Sequence, residues 1–118
     1  MDEIGADELA SRLGELPILD VRTDAEYAGE AGYPCDPRQG HLPGARNLDV
    51  ARLEEAETPE RVRELVGEPE GAEVVVYCHS GGRSQRAAQI LAAAGYRARN
   101  YAGSWHEWSR REELPAEL

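Results

Sequence analysis

The chain has 118 residues, room for one compact domain, and its 41% apolar and 31% charged residues exclude both an unfolded polar chain and a membrane-embedded one. The formal net charge is -10 and every basic residue is an arginine. An acidic surface without a basic stripe repels phosphate backbones, so nucleic acid is excluded as a partner, and any anion site must be built locally from backbone amides and a few arginines.

The amino terminus, MDEIGADELA, has no apolar run of signal or membrane-spanning length, which predicts a cytoplasmic protein without a membrane partner. Leu9, Ala10 and Leu13 lie at helical spacing, predicting a helix over 7–13 that Gly14 terminates. Residues 18–21 read as a short buried strand. Thr23 with Glu26 three residues on forms a capping-box pattern for a brief helix over 23–28. The stretch 29–44 is rich in Gly and Pro and reads as a long ordered loop, a length often associated with function. Thr58, Pro59 and Glu60 start another helix by cap, fixed φ and macrodipole, and Val62, Leu65 and Val66 give it an apolar face up to Gly67. Glu73–Tyr77, with three consecutive valines, is the clearest strand and fits a central position buried on both faces. Such alternation of strands and helices predicts an α/β fold: a small parallel sheet flanked by helices on both faces, one domain over 1–118.

After that strand come Cys78, His79, Ser80, Gly81, Gly82, Arg83 and Ser84, then a helical stretch 85–94 closed by Gly95. Beyond the carboxyl end of a central parallel strand is where ligands bind in this fold class, and here the loop leads into a helix N-terminus. Gly81 and Gly82 let backbone amides turn inward, forming a nest of partial positive charge that lowers a thiol pKa without a metal. A free cysteine after a valine-rich strand is in isolation more often a small buried hydrophobe. The combination with two glycines, Arg83 and Ser84 favours a nucleophile.

These residues resemble the rhodanese family, whose active-site loop starts with Cys and runs for six residues before a helix, matching Cys78 to Arg83 in place and length. Asp20-Val21-Arg22, Glu26-Tyr27 and Gly40-His41-Leu42-Pro43-Gly44-Ala45 resemble its first signature, and Asn100-Tyr101, Gly103 and Trp108 its last. Ala102 stands where the family often has a second Gly, and the segment 29–39, which contains Cys35, lengthens the link between Tyr27 and Gly40. The resemblance implies a two-step exchange: Cys78 takes a sulfane sulfur from a donor such as thiosulfate, holds it as a persulfide, and yields it to cyanide or a thiol, in some settings a protein thiol. No metal or organic cofactor is implied.

The amides of His79 to Ser84 are the expected cradle. Arg83 either orients the donor or pairs with a carboxylate. Ser84 reads as the helix N-cap. Asp20, Arg22 and Glu26 read as a structural ion-pair set under the loop, His41 as a turn residue and His106 as surface or packing. The two cysteines and three histidines lack zinc-ligand spacing, so no metal site is expected. Cys35 reads as a bystander thiol or as a resolving cysteine able to attack the persulfide. Two rivals stand beside sulfur transfer. An oxyanion-handling phosphatase or arsenate reductase would place five residues between Cys and Arg, where this chain places four. A non-catalytic binding module of the same fold commonly lacks the cysteine.

Overall fold

The computed structural model describes residues 2–118. In chain order the elements are β1 (Asp2–Glu3), α1 (Ala6–Ser11), β2 (Ile18–Asp20), α2 (Asp24–Tyr27), β3 (Arg46–Asn47), α3 (Val50–Glu55), α4 (Pro59–Val66), β4 (Glu73–Tyr77), α5 (Gly82–Ala93), β5 (Arg97–Asn100) and α6 (Ser104–Trp108). The strands form one five-stranded sheet in the order β1-β5-β4-β2-β3, with every pairing parallel.

The alternation of side chains along β4 explains why this strand is central. Val74 and Val76 point to one face, where they meet Val50 and Leu53 of α3, Val62 and Val66 of α4, and Ala87, Ala88 and Leu91 of α5. Val75 and Tyr77 point to the other, against Leu9 of α1 and Trp105 and Trp108 of α6. A run of apolar residues with no polar alternation is what a strand covered on both faces requires. All of Val74, Val75, Val76 and Tyr77 are fully buried. Truncating one such side chain to Ala costs about 2–5 kcal/mol through lost transfer energy and the cavity left behind.

Most expected elements are present with adjusted ends. The first helix closes at Ser11, short of the expected residue 13, and β2 ends at Asp20, one residue early. Thr23 and Glu26 form the full reciprocal capping box of α2, and Thr58 caps α4, which ends at Gly67 with φ 74°. The larger correction is α5, which starts at Gly82 and not at Gln85. The first amides of a helix need no intrahelical partner, so Gly82, Arg83 and Ser84 can occupy its first turn despite their loop-like composition. Elements β1, β3, α3 and β5 are two to six residues long, too short for a periodicity to stand out.

Candidate active site

Cys78 follows β4 directly, beyond the carboxyl edge of the sheet between the ends of β2 and β5. Its Sγ accepts the amide of Gly81 at 3.1 Å and the amide of Ser84 at 3.4 Å, with the Ser84 hydroxyl also at 3.4 Å. The residue is 1% exposed. Burial pushes the thiol pKa up, but the Ser84 hydroxyl and the amides of Ser84, Gly81 and Ser80 together outweigh it and hold the pKa below its ordinary value. The dipole of the twelve-residue α5, whose N-terminus faces the sulfur, works in the same direction.

Ser84 and Gly82 sit differently from their sequence reading, and Arg83 takes one of its two expected roles. Ser84 is not the N-cap of α5. Gly81 is, at φ 101°, and Ser84 stands at the third helical position with its hydroxyl within reach of both the Gly81 carbonyl (3.2 Å) and Sγ. The neutral thiol donates to the Ser84 oxygen while the Ser84 hydroxyl donates to the Gly81 carbonyl, and ionisation of the thiol lets the hydroxyl turn its proton to sulfur. Gly82 has open space where a Cβ would stand and no positive φ, so only Gly81 needs to be glycine. Arg83 pairs with a carboxylate: its two terminal nitrogens donate to Glu26 at 2.8 and 3.1 Å. Burial raises the Glu26 pKa, yet the bonds from Arg83 and Thr23 prevail and bring it from 4.5 to about 2.

The expected three-member ion-pair set is therefore two structures. Asp20 and Arg22 form a buried pair at 2.7 Å, and Asp20 also accepts the Tyr77 hydroxyl at 2.6 Å, stiffening the backbone just before Cys78. Glu26 belongs with Arg83, on the rim. His41 is held by its backbone as expected, but in an antiparallel bridge with Glu117 and not in a turn, and its ring stacks on Tyr27 at 3.8 Å.

The structure adds Ser104, which the sequence reading passed over. It is fully buried, adopts φ 56°, and its hydroxyl accepts the Cys78 amide at 3.0 Å. A left-handed serine is uncommon and is held here by neighbouring bonds: Trp105 and His106 donate their amides to the carbonyls of Cys78 and His79 at 2.9 Å. Helix α6 is thus docked on the cysteine loop. No residue type at position 104 announces this; the positive φ is a property of the folded chain.

The inserted segment 29–39 packs against the same loop. Tyr33 stacks on the His79 ring at 3.7 Å, Asp36 bonds His79 Nε2 at 2.9 Å, and Arg110 donates to Asp36 at 2.8 Å and to the Cys35 carbonyl at 3.1 Å. Arg38 donates to the carbonyls of Trp108, Ser109, Arg111 and Leu114, and the Trp105 indole donates to the Arg38 carbonyl. Cys35 is exposed and Cys78 buried, both as free thiols. His106, exposed as expected, meets the His79 ring edge-on. A cavity of about 460 Å³ lies between Thr23, Glu26, Gly32, Tyr33, Pro34 and Arg83, so the insert forms one wall of the approach to the loop.

Known proteins match this arrangement. A family model described as a rhodanese-like domain matches residues 5–111. A thiosulfate sulfurtransferase of Azotobacter vinelandii is 35% identical over 122 residues, covering 95% of this chain and 44% of that protein. A probable thiosulfate sulfurtransferase of known structure superposes with a TM-score of 0.86 at 43% identity, over 98% of this chain and 47% of its own. The human single-domain sulfurtransferase TSTD1 superposes at 0.72 with 32% identity, over 96% and 99% of the two chains. The chain spans less than half the length of the first two of these proteins.

Proposed function

The chain belongs to the rhodanese-like domain family, and on that premise we propose that it is a sulfurtransferase domain, one unit over residues 1–118, in which Cys78 carries the sulfur. The observation that carries this reading is the convergence of two amides on a buried Sγ, with the Ser84 hydroxyl beside it free to turn its proton to the ionised sulfur. Those donors favour an anion on sulfur over a neutral thiol, and they favour a persulfide anion for the same reason.

In the first half-reaction the Cys78 thiolate attacks the outer sulfur of thiosulfate. A new S–S bond forms to Cys78, the bond to the sulfonate breaks, and its electron pair leaves with sulfite. In the second, cyanide or a thiol attacks the outer sulfur and the pair returns to Cys78 as thiolate. A protein thiol is an equivalent acceptor. Ser84 and the amides of Ser80, Gly81 and Ser84 hold the charge in each state, and Arg83 with Glu26 and Tyr33 shapes the approach. A cytoplasmic setting fits a cycle that needs a reduced thiol at every turn.

The oxyanion reading is less well supported. Arg83, which would have to hold an oxyanion, is already engaged by both carboxylate oxygens of Glu26, and the amides converge on one atom. The test is incubation with thiosulfate followed by mass spectrometry and sulfite assay. One added sulfur on the Cys78 peptide, stoichiometric sulfite, and loss of both in Cys78→Ser support the proposal. Sulfur on another residue, or an active Ser variant, overturns it.

A further inference from the structure

We propose that Asp36, His79 and His106 form a binding site for a late first-row divalent cation, zinc in the first instance, that is separate from the Cys78 thiol. The three come from the inserted loop, the cysteine loop and α6. One carboxylate oxygen and one ring nitrogen from each histidine lie within 4.8 Å of one another. The spacing of these residues in the chain gives no hint of a metal set; the course of the inserted segment creates it.

Two imidazoles and a carboxylate are the ligand set of an open zinc site, and imidazole selects zinc, copper or nickel over magnesium or calcium. Zinc holds nitrogen and oxygen at about 2.0–2.2 Å, which in a tetrahedron places the ligand atoms roughly 3.3 Å apart. Asp36 Oδ2 and His79 Nε2 are already 2.9 Å apart. Closing the site therefore asks for a movement of about 1–1.5 Å at most by His106, the exposed member, whose ring stands at 87° to that of His79.

The two buried ligands are held in orientation by other groups, as metal ligands require. Tyr33 stacks on the His79 ring, and Arg110 binds Asp36 through Oδ1, so a cation would take Oδ2 and His79 Nε2 in place of the proton they now share. The Asp36 side chain has no exposure to solvent. Arg110 opposes a cation by its charge and limits the affinity, while the overall charge of -10 acts the other way. A bound cation would tie the inserted loop, the cysteine loop and α6 at one point, so it would stiffen one wall of the approach to Cys78.

The experiment uses the full chain as the double variant Cys35→Ser/Cys78→Ser, which removes thiol ligation and makes the result independent of sulfur transfer. Equilibrium dialysis with zinc is expected to give one bound ion per chain and a higher thermal midpoint, since a ligand of the folded state stabilises by mass action. Cobalt in its place is expected to show visible absorption of a four-coordinate ion. His106→Ala, an exposed position, should weaken zinc binding by at least about tenfold, because even outer-shell changes cost that much at such sites. No binding by the double variant, or binding that His106→Ala leaves unchanged, overturns the proposal.

Discussion

The carbonyl oxygen of Ala102 lies 2.8 Å from the point where a Cβ on Gly81 would stand, so the loop after β5 leaves no room for a side chain at the cap of α5. Gly81 also has φ 101°, a conformation that costs other residues about 1–2 kcal/mol. Its amide is the shortest contact to Sγ. Gly81→Ala should therefore lower sulfite release at least about tenfold, the effect of displacing a preorganised donor, whereas Gly82→Ala should leave it near the parent value. Steady-state kinetics on the pair checks this; equal losses would show that the second glycine is needed as well.

Ser84 sets the ionisation of Cys78. In a profile of alkylation rate against pH, the parent midpoint should lie below the ordinary thiol value of 9.0. Ser84→Ala removes the hydroxyl that contributes most to the lowering, so its midpoint should shift upward with the fold intact by circular dichroism. An unchanged midpoint would assign the lowering to the amides alone.

Glu26 couples stability to acid. Its pKa is depressed on folding from 4.5 to about 2, so the folded state gains above pH 4.5 and loses that gain as pH falls toward 2. With allowance for screening at Arg83, which is one-third exposed, the contribution is roughly 2 kcal/mol. Urea unfolding of Glu26→Gln should show this deficit at neutral pH and little difference from the parent near pH 2. A deficit independent of pH would point to packing.

Arsenate at millimolar concentration should leave sulfite release by the parent unchanged, because Arg83 is committed to Glu26. Glu26→Gln releases the guanidinium, and inhibition should then appear. Strong inhibition of the parent would return weight to the oxyanion reading.

For Cys35 the bystander reading is the expected one. The neighbouring Asp36 is held by His79 and Arg110, and Arg110 also holds the Cys35 carbonyl, so this wall resists sliding toward the buried thiol. Cys35→Ser should keep full activity, and peptide mapping after oxidation should show no bond between Cys35 and Cys78. Finding that bond would make Cys35 a resolving thiol.

The sequence was most informative where the physics is local. Three valines announce a strand covered on both faces, Thr23 and Glu26 announce a capping box, and a cysteine between a buried strand and a helix start announces an anion cradle. It was least informative where a residue's role is set by a distant partner. Gly82 looked as necessary as Gly81 because the neighbour that separates them is Ala102. Proximity in the chain groups Glu26 with Asp20 and Arg22, although its partner stands 57 residues on. Asp36 carried no signal, since its meaning depends on where a Gly- and Pro-rich segment is laid.

Arg38 closes the molecule across 70 to 76 residues by binding four carbonyls from the last residue of α6 onward. Drawing such distant segments together costs chain entropy, as it does for the pairing of Asp2 in β1 with Arg99 in β5. One guanidinium thus helps fasten the inserted segment to the end of the chain although Arg38 does not itself line the cavity, so the shape of that wall depends on a side chain that touches neither the sulfur nor the space beside Arg83.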